Sequence, residues 1–350
     1  ASAGTDFNLG VPTNGTNTGN LVMVNGAVIR SEDGNITLRG PGDVQLGVVN
    51  ADGDADAVAG SVIVTADFSG VGGGLCNGVG AITDINGAAN NITAQNLALR
   101  AASGIGSADA LDTTVARLAF NNTTSGNVNV TNATGLTIGA FDGLAVSTNA
   151  DPTPSGGGIT VRADGFLTVA VNVVDSAGGN IILAAEGNTA ADDLAVNANV
   201  TASGGVGNVN LFAGDTITMA ATSVVSAAST GDVEVRAGTD FNGGTRVNGT
   251  STGAIVMVDG AQILSQDGDI ALVAPGDIAL SLVNADSDAD LAGGVDHGAD
   301  GLNPPAVALK AGQAGGGDRR GDREALWGGA APGRHRPPAA DETDHLHRLQ

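Results

Sequence analysis

The sequence lacks most of what a compact globular protein or a membrane protein needs. It has no tyrosine, one tryptophan and only 2% aromatic residues, so a core built on large aromatic side chains is excluded. The single cysteine, Cys76, excludes an intramolecular disulfide framework. No apolar run approaches the ~20 residues of a membrane-spanning helix. No basic segment followed by an apolar stretch marks a signal peptide, and we expect the sequence to be a fragment of a longer chain.

Positive charge is also scarce. Residues 1–296 contain no lysine and no histidine, and the whole chain has a formal net charge of −23. Nucleic acids and anionic membrane surfaces are bound through basic patches, so neither is an expected partner. The residues that are abundant are glycine (56 of 350), together with Asn, Asp, Thr, Ala and Val. This composition is typical of many short strands joined by tight turns.

A long internal repeat is the strongest signal in the sequence. Residues 3–59 align without a gap to residues 237–293, an offset of 234 positions, with 34 identities in 57 pairs. Both copies begin with AGTDFN. The duplicated unit is therefore longer than 200 residues, and repeat architectures are the first fold class to consider.

A shorter template recurs inside this unit. It consists of Gly, then Asn or Asp, then alternating apolar and small or polar residues, as in GNITLR at Gly34, GNIILA at Gly179, GNVNLF at Gly207 and GDVEVR at Gly231. A turn signal followed by a period of two predicts a half-buried strand. Spacings of roughly 20–28 residues predict one turn of a parallel β-helix. The fold class is therefore all-β, a β-solenoid, and the Asn residues at the strand starts are expected to form hydrogen-bonded ladders from turn to turn.

Comparison of the two copies predicts which side chains point inward. Ile36 and Leu38 are unchanged in the second copy, whereas Thr37 and Arg39 become Ala and Val. We expect the unchanged pair to face the core and the other pair to face water.

The chain changes character at about His297. Residues 297–350 contain all four histidines, the only lysine and the only tryptophan, and they carry no strand template. We therefore divide the chain into a solenoid shaft, 1–296, and an off-pattern tail, 297–350. The tail is either disordered or the product of a lost reading frame after AVALKAG at Ala306, which echoes NLALRAA at Asn96. Sequencing of the gene would decide between the two.

The repeated strand template with Gly, Asn and Thr turns resembles the passenger repeats of filamentous-haemagglutinin-like and autotransporter adhesins. The resemblance covers residues 1–296 and depends on the style of the repeat, so no functional residue is carried over. It implies a right-handed parallel β-helix, export to the bacterial cell surface and an adhesive or structural role. The partners it implies are molecules of host or neighbouring cell surfaces, or matrix polysaccharide.

The stretch VNADGDAD, from Val49, returns as VNADSDAD from Val283 and is the main candidate for a metal site. Each copy places oxygen-bearing side chains at every second position, and a Ca²⁺ ion would relieve the repulsion between them. The candidate ligands are Asn50, Asp52, Asp54 and Asp56 in the first copy and Asn284, Asp286, Asp288 and Asp290 in the second. The stretch is not an EF-hand, because Ala57 stands where that motif needs Gly and Ile63 where it needs Glu. The alternative is a solvated acidic loop that closes a turn of the solenoid.

An enzyme of the polysaccharide-active β-helix type is the main rival to a structural role. Its chemistry needs clustered carboxylates, for which Asp192 with Asp193 or the VNADGDAD cluster are candidates. Residues 1–296 offer no lysine, histidine, tyrosine or tryptophan to complete a sugar-binding cleft. We therefore expect a non-catalytic, extracellular, adhesive shaft without a cofactor, with a Ca²⁺-binding surface-layer or biofilm-matrix protein as the alternative and the enzyme as the second alternative.

Overall fold

The computed structural model describes residues 1, 5–8, 11–14, 19–54, 58–68, 77–151, 157–287 and 307–311. The chain divides into two compact units, Ala1–Gly316 and Gly317–Gln350. The second unit lies outside the described residues, so the predicted boundary at 296 stays a prediction. Within the described residues no helix has the length and apolarity needed to cross a bilayer.

The described part of the chain is built from short strands. In the first half these are β1 (Thr5–Asn8), β2 (Val11–Asn14), β3 (Leu21–Val22), β4 (Val28–Arg30), β5 (Ile36–Arg39), β6 (Val44–Leu46), β7 (Val48–Asn50), β8 (Ser61–Thr65), β9 (Ile82–Asp84), β10 (Ile92–Ala101), β11 (Leu111–Asn122), β12 (Val128–Asn132), β13 (Leu136–Ile138), β14 (Ser147–Asn149), β15 (Ile159–Asp164) and β16 (Leu167–Val169). In the second half they are β17 (Val173–Asp175), β18 (Ile181–Glu186), β19 (Leu194–Val196), β20 (Val200–Ala202), β21 (Val209–Ala213), β22 (Ile217–Met219), β23 (Val224–Ala227), β24 (Val233–Arg236), β25 (Thr239–Asp240), β26 (Val247–Asn248), β27 (Ile255–Met257), β28 (Gln262–Ser265), β29 (Ile270–Ala274), β30 (Ile278–Ala279), β31 (Leu282–Asn284) and β32 (Val307–Ala311), with a single-turn 3-10 helix at Asn242–Gly244.

Apart from two antiparallel hairpins, β1–β2 and β25–β26, these strands pair in parallel and wind around one axis. The prediction of an all-β parallel β-helix is confirmed. One column of stacked residues follows the axis through every described turn: Leu21, Val44, Ile82, Ile105, Val128, Ile159, Ile181, Val209, Val233, Ile270 and Val307. Some turns are longer than the predicted range, since Val233 and Ile270 are 37 positions apart. That turn is lengthened by the β25–β26 hairpin, which packs against β18 and β21 on the flank of the shaft.

Each turn has three faces, and the strands of successive turns stack into one column on each face. At one point along the shaft a column of strands passes from one face to the next. In the first turns the faces are headed by β3, β4 and β5. The long strands β10 and β11 each run across two faces, and beyond them the column headed by β5 continues through β13 to β27. Therefore β3 and its repeat partner β27 stand on different faces, and the 234-residue unit spans eight turns and one further face.

The hairpins show that the duplication found in the sequence is also present in the structure. In the first copy Thr5 pairs with Asn14, and in the second copy the equivalent Thr239 pairs with Asn248. A hairpin in the same register therefore recurs 234 positions later, with four residue pairs in the first copy and two in the second.

Burial follows the strand period, as expected for a solenoid with a dry interior. Ile36 and Leu38 are buried, Thr37 is half-buried and Arg39 is exposed, which confirms the predicted orientation of this strand. The side chains of the axial column from Val44 to Ile270 have no solvent exposure. Each turn thus contributes one layer to a continuous apolar core of Val, Ile, Leu and Ala.

The glycine of the strand template is required by close contact between turns. A Cβ atom on Gly207 would lie 2.2 Å from the carbonyl oxygen of Gly179, and one on Gly231 would lie 2.3 Å from that of Gly207. Gly268 repeats this relation with Gly231 at 2.3 Å. The template therefore begins with Gly because any larger residue would push successive turns apart.

The Asn or Asp that follows each glycine holds the next turn in place. The Oδ1 atom of Asn180 accepts the backbone N–H of Asn208 at 2.8 Å, and Oδ1 of Asn208 accepts the N–H of Asp232 at 2.8 Å. Asp232 does the same for Asp269 at 2.9 Å. The predicted ladder is confirmed, in a form in which each side chain satisfies a backbone donor at the start of the following strand.

A second polar ladder lies inside the core. Asn122 donates through Nδ2 to Oδ1 of Asn149 at 2.7 Å, and Asn149 donates to Oδ2 of Asp175 at 3.1 Å. All three side chains have no solvent exposure. Burial raises the pKa of Asp175, because the ionised form is separated from water.

Candidate functional site

The acidic stretch predicted as a metal site forms the same local turn in both copies. It follows β7 in the first copy, where the backbone N–H of Asp52 donates to Oδ1 of Asn50 at 2.8 Å. In the second copy the N–H of Asp286 donates to Oδ1 of Asn284 at 3.1 Å. Each Asn thereby closes a turn on its own backbone. Asp54 is exposed, while Asp56, Asp288 and Asp290 lie outside the described residues.

One oxygen of this stretch has an unusual environment. Oδ1 of Asp52 is buried and has no hydrogen-bond partner among the described residues. The side chain lines a cavity of about 220 Å³ whose other polar contributors are Thr93, Gln95, Thr114 and Thr134. No group of three His, Cys, Asp or Glu side chains that could hold a metal occurs in the described ranges. A cation here would be held by one carboxylate and by neutral oxygens, and the calcium site stays a prediction.

A second polar site lies on the flank of the shaft. It is a groove of about 370 Å³ with four carboxylates in its lining: Asp112, Asp164, Glu186 and Asp240. These residues come from β11, β15, β18 and the β25–β26 hairpin, which are far apart in the sequence. The groove exists because the solenoid stacks their strands and the hairpin folds back over them.

The register of β15 and β18 defines the centre of the groove. It places Asp164 directly beside Glu186 on the next turn, and adjacent strands of a sheet are about 4.8 Å apart. Arg162, on the same strand as Asp164, lies with its guanidinium 3.4 Å from Oε1 of Glu186. The guanidinium also donates to Oγ1 of Thr131 at 2.9 Å, so it bridges two turns of the solenoid.

The hairpin closes one side of the groove and is anchored by aromatic stacking. The ring of Phe241 stacks on that of Phe212 with centroids 4.7 Å apart, and the guanidinium of Arg246 lies 5.0 Å from the centre of the Phe212 ring. Asp240 accepts the backbone N–H of Gly187 at 3.0 Å. These contacts fix the Asp240 carboxylate at the wall of the groove.

Glu186 has the most perturbed acidity of the groove. Burial raises its pKa to about 7, Arg162 opposes this rise, and the neighbouring Asp240 carboxylate adds to it. Burial also raises the pKa of Asp112, and the charges of Asp84 and Asp109 act in the same direction. A carboxyl group that titrates near neutral pH beside a second carboxylate is an arrangement that can donate and accept protons.

Asp192 and Asp193, considered for catalysis from the sequence, do not converge. Asp192 is buried and accepts the N–H and Oγ1–H of Thr189 at 2.7 and 2.9 Å. Asp193 accepts the N–H of Thr216 on the next turn at 2.9 Å. Both residues secure turns of the solenoid. Cys76 lies outside the described residues.

Sequence reasoning did not identify Glu186, although a signal was present. Two strands on successive turns of the solenoid, ITVRAD at Ile159 and IILAAE at Ile181, both end in an acidic residue at the sixth position. Alignment of the two strands on their first isoleucine places the two carboxylates side by side. The contribution of the hairpin could not be found in this way, because it follows a different strand.

The fold is that of a parallel-strand solenoid, and comparison with known proteins does not narrow it further. No protein-family model, no curated protein and no solved structure matches the chain.

Proposed function

We propose that this chain is a non-catalytic shaft of a large, exported bacterial cell-surface protein with a structural and adhesive role. The observation that supports this proposal is the uninterrupted axial column from Leu21 to Val307. Along it, backbone hydrogen bonds and an apolar core join each turn to the next. Such a stack forms a stiff support on which the surface side chains can vary. The negative charge of the chain keeps such a shaft dispersed in water.

The partners of the shaft are molecules of a host or neighbouring cell surface, or matrix polysaccharide. A test is to measure retention of the fluorescently labelled chain on whole cells and on immobilised polysaccharides, with product release assayed in the same samples. An adhesive role predicts saturable retention without release of reducing sugar. Absence of retention on every surface would contradict the adhesive role.

A calcium-dependent surface-layer or matrix role is favoured by one specific observation, the buried and unpartnered Oδ1 of Asp52. If a Ca²⁺ ion satisfies that oxygen, millimolar Ca²⁺ will raise the melting temperature of the wild-type chain. The variant Asp52→Asn will lose this shift, whereas Asp142→Asn, on the surface beside Arg100, will keep it. An unchanged melting temperature in the wild type would remove this role.

A polysaccharide-active enzyme is favoured by the juxtaposition of Asp164 and Glu186 in the groove. In that role Glu186 would protonate the leaving oxygen of a glycosidic bond while Asp164 forms a bond to the anomeric carbon, and water deprotonated by Glu186 would then release the sugar from Asp164. The measurement is release of reducing ends from a panel of polysaccharides by the wild type and by Glu186→Gln. Release that depends on Glu186 would establish the enzyme and overturn the non-catalytic proposal.

A further inference from the structure

One face of the shaft carries a polar hollow that is separate from the acidic groove and from the Asp52 cavity. It has a volume of about 240 Å³ and is lined by half-buried and exposed residues of three successive turns: Asn127, Asn129, Gly158, Thr160, Asn180 and Ile182. No charged residue belongs to this described lining, although the chain as a whole has a net charge of −23. We refer to these six residues as the neutral hollow.

The neutral hollow exists because a glycine lies between two asparagines along the shaft axis. Asn127, Gly158 and Asn180 immediately precede β12, β15 and β18, which are paired in register. A Cβ atom on Gly158 would lie 2.5 Å from the carbonyl oxygen of Asn180, so the close approach of the turns requires glycine here. Two turn spacings of about 4.8 Å separate the asparagines by about 10 Å, and the space between them has no side chain.

The two asparagines are held in place by the backbone of the following turn. Oδ1 of Asn127 accepts the N–H of Gly158 at 2.9 Å, and Oδ1 of Asn180 accepts the N–H of Asn208 at 2.8 Å. The orientation of each amide group is thereby fixed, and neither Nδ2 group donates to another described residue. Donors that are already ordered lose little conformational entropy when a ligand binds.

A second row of side chains completes the neutral hollow. Asn129, Thr160 and Ile182 lie side by side on β12, β15 and β18, and Asn210 continues the row on the next turn. The Asn and Thr side chains can both donate and accept hydrogen bonds, and Ile182 presents apolar carbon between them. This combination is complementary to a sugar ring, which has hydroxyl groups around its edge and C–H groups on its faces.

Charge favours an uncharged ligand. Both rows stay neutral from the turn of β12 to that of β21, and Asp232 and Glu234 occupy the same two positions on the turn after it. A polyanion would be repelled by the acidic surface of the chain, whereas a polycation would be attracted to the four carboxylates of the acidic groove. A neutral polymer has neither constraint.

We propose that the neutral hollow binds one sugar unit of an uncharged polysaccharide, whose chain continues along the shaft axis past Asn210. The proposal rests on the adhesive function proposed above, and it assigns to that function a contact surface and a ligand class. One unit held by a few hydrogen bonds is bound weakly, because each bond replaces a bond to water. A polysaccharide repeats the same unit, so several molecules of the protein on one surface retain it by avidity.

The test uses the full chain and two double variants. Asn129→Ala with Thr160→Val removes polar groups from the neutral hollow and leaves Asn127 and Asn180, which hold the turns together, unchanged. The matched control is Thr137→Ala with Thr168→Val. These two half-buried residues also lie side by side, on the same two turns but on the next face. Circular dichroism and thermal melting establish that both variants are folded.

Binding is measured by retardation in native gels that contain a neutral polysaccharide (dextran, mannan or laminarin), the polyanion alginate or the polycation glycol chitosan. At least one neutral polysaccharide will retard the wild type. The hollow variant will bind it about tenfold or more weakly, because two side chains no longer hydrogen-bond the sugar, and the control will stay within about twofold of the wild type.

The remaining outcomes separate the neutral hollow from the adhesive function. If the hollow variant binds the neutral polysaccharide as well as the wild type does, or if the control loses binding equally, the neutral hollow is not the site and the adhesive function stands. Retardation by alginate or glycol chitosan alone would overturn the neutral ligand class. Retention on whole cells without binding to any polysaccharide would also overturn the proposal and leave the adhesive function intact. Absence of binding to cells and to polysaccharides would overturn both.

Discussion

Successive turns approach each other closely at the template glycines, and this approach yields the sharpest prediction for stability. In the variant Gly207→Ala the new methyl group would lie 2.2 Å from the carbonyl oxygen of Gly179 and 2.8 Å from its carbonyl carbon. Both atoms belong to the backbone of the turn beneath, so no side-chain rotation can relieve the overlap. An ordinary contact needs about 3.4 Å or more, so the two turns must separate locally by about 1 Å.

The separation also strains the hydrogen bonds that begin the strand. Asn208 N donates to Oδ1 of Asn180 at 2.8 Å, and Ile181 N donates to the carbonyl oxygen of Asn208 at 2.8 Å. Overpacking of a close-packed interior costs about 1–3 kcal/mol, and each weakened hydrogen bond adds about 1 kcal/mol. We therefore expect Gly207→Ala to lower the free energy of unfolding by about 2–5 kcal/mol.

The measurement is urea unfolding followed by circular dichroism at 25 °C. The matched control is Gly139→Ala, whose methyl group meets only side-chain carbons of Arg117 and Thr137 at 3.4 Å. This control will stay within about 0.5 kcal/mol of the wild type or gain slightly from a less flexible unfolded state. If Gly207→Ala unfolds within 0.5 kcal/mol of the control, the explanation of the template by close contact is wrong.

Three further predictions concern the core ladder, the groove and the hairpin. Asn149→Leu will destabilise the chain by about 3 kcal/mol or more, because it removes the buried amide that donates to Oδ2 of Asp175 and accepts from Asn122; a change below 1 kcal/mol in urea unfolding would contradict this. Glu186 has a folded pKa of about 7 against an ordinary value of 4.5, so its contribution to stability is full below pH 4.5 and is lost as the pH rises through 7, by up to ~3 kcal/mol. Glu186→Gln will remove this part of the pH dependence, and parallel slopes for the two chains between pH 4.5 and 7 would refute the assignment. Phe241→Ala will remove the stacking on Phe212 and speed hydrogen exchange in residues 239–248, while exchange in the axial strands stays unchanged.

Much of the fold could be predicted because its determinants are local. Gly207 and Asn208 mark a strand start in the sequence, and in the structure each acts on the turn next to it. The inward orientation of Ile36 and Leu38 likewise depends only on the period of two within one strand. The alignment of the two copies at an offset of 234 residues rests on identical residues alone. It was sufficient to predict that the same elements recur.

The groove could not be predicted because it depends on register between distant strands. Asp164 and Glu186 are neighbours only because the intervening turn has 22 residues, and the next turn, from Ile181 to Val209, has 28. The reassignment of faces at β10 and β11 has the same origin, since it follows from two strands long enough to pass a corner. Spacings of this kind vary with loop length, which the strand template does not encode.

The 234-residue repeat is not a whole number of solenoid turns, and this determines where repeated surface features lie around the shaft. Strand β27 stands one face away from the column that begins at its partner β3, so the hairpin that precedes each of them leaves the shaft at a different corner. Each additional copy of the 234-residue unit would advance the hairpin by about 120° around the axis, as a three-step screw. After three copies every side of the rod would carry the same acidic groove, with a stacked phenylalanine pair equivalent to Phe212 and Phe241 beside it. A surface approached from any direction would then meet one of them, without any need for the rod to rotate.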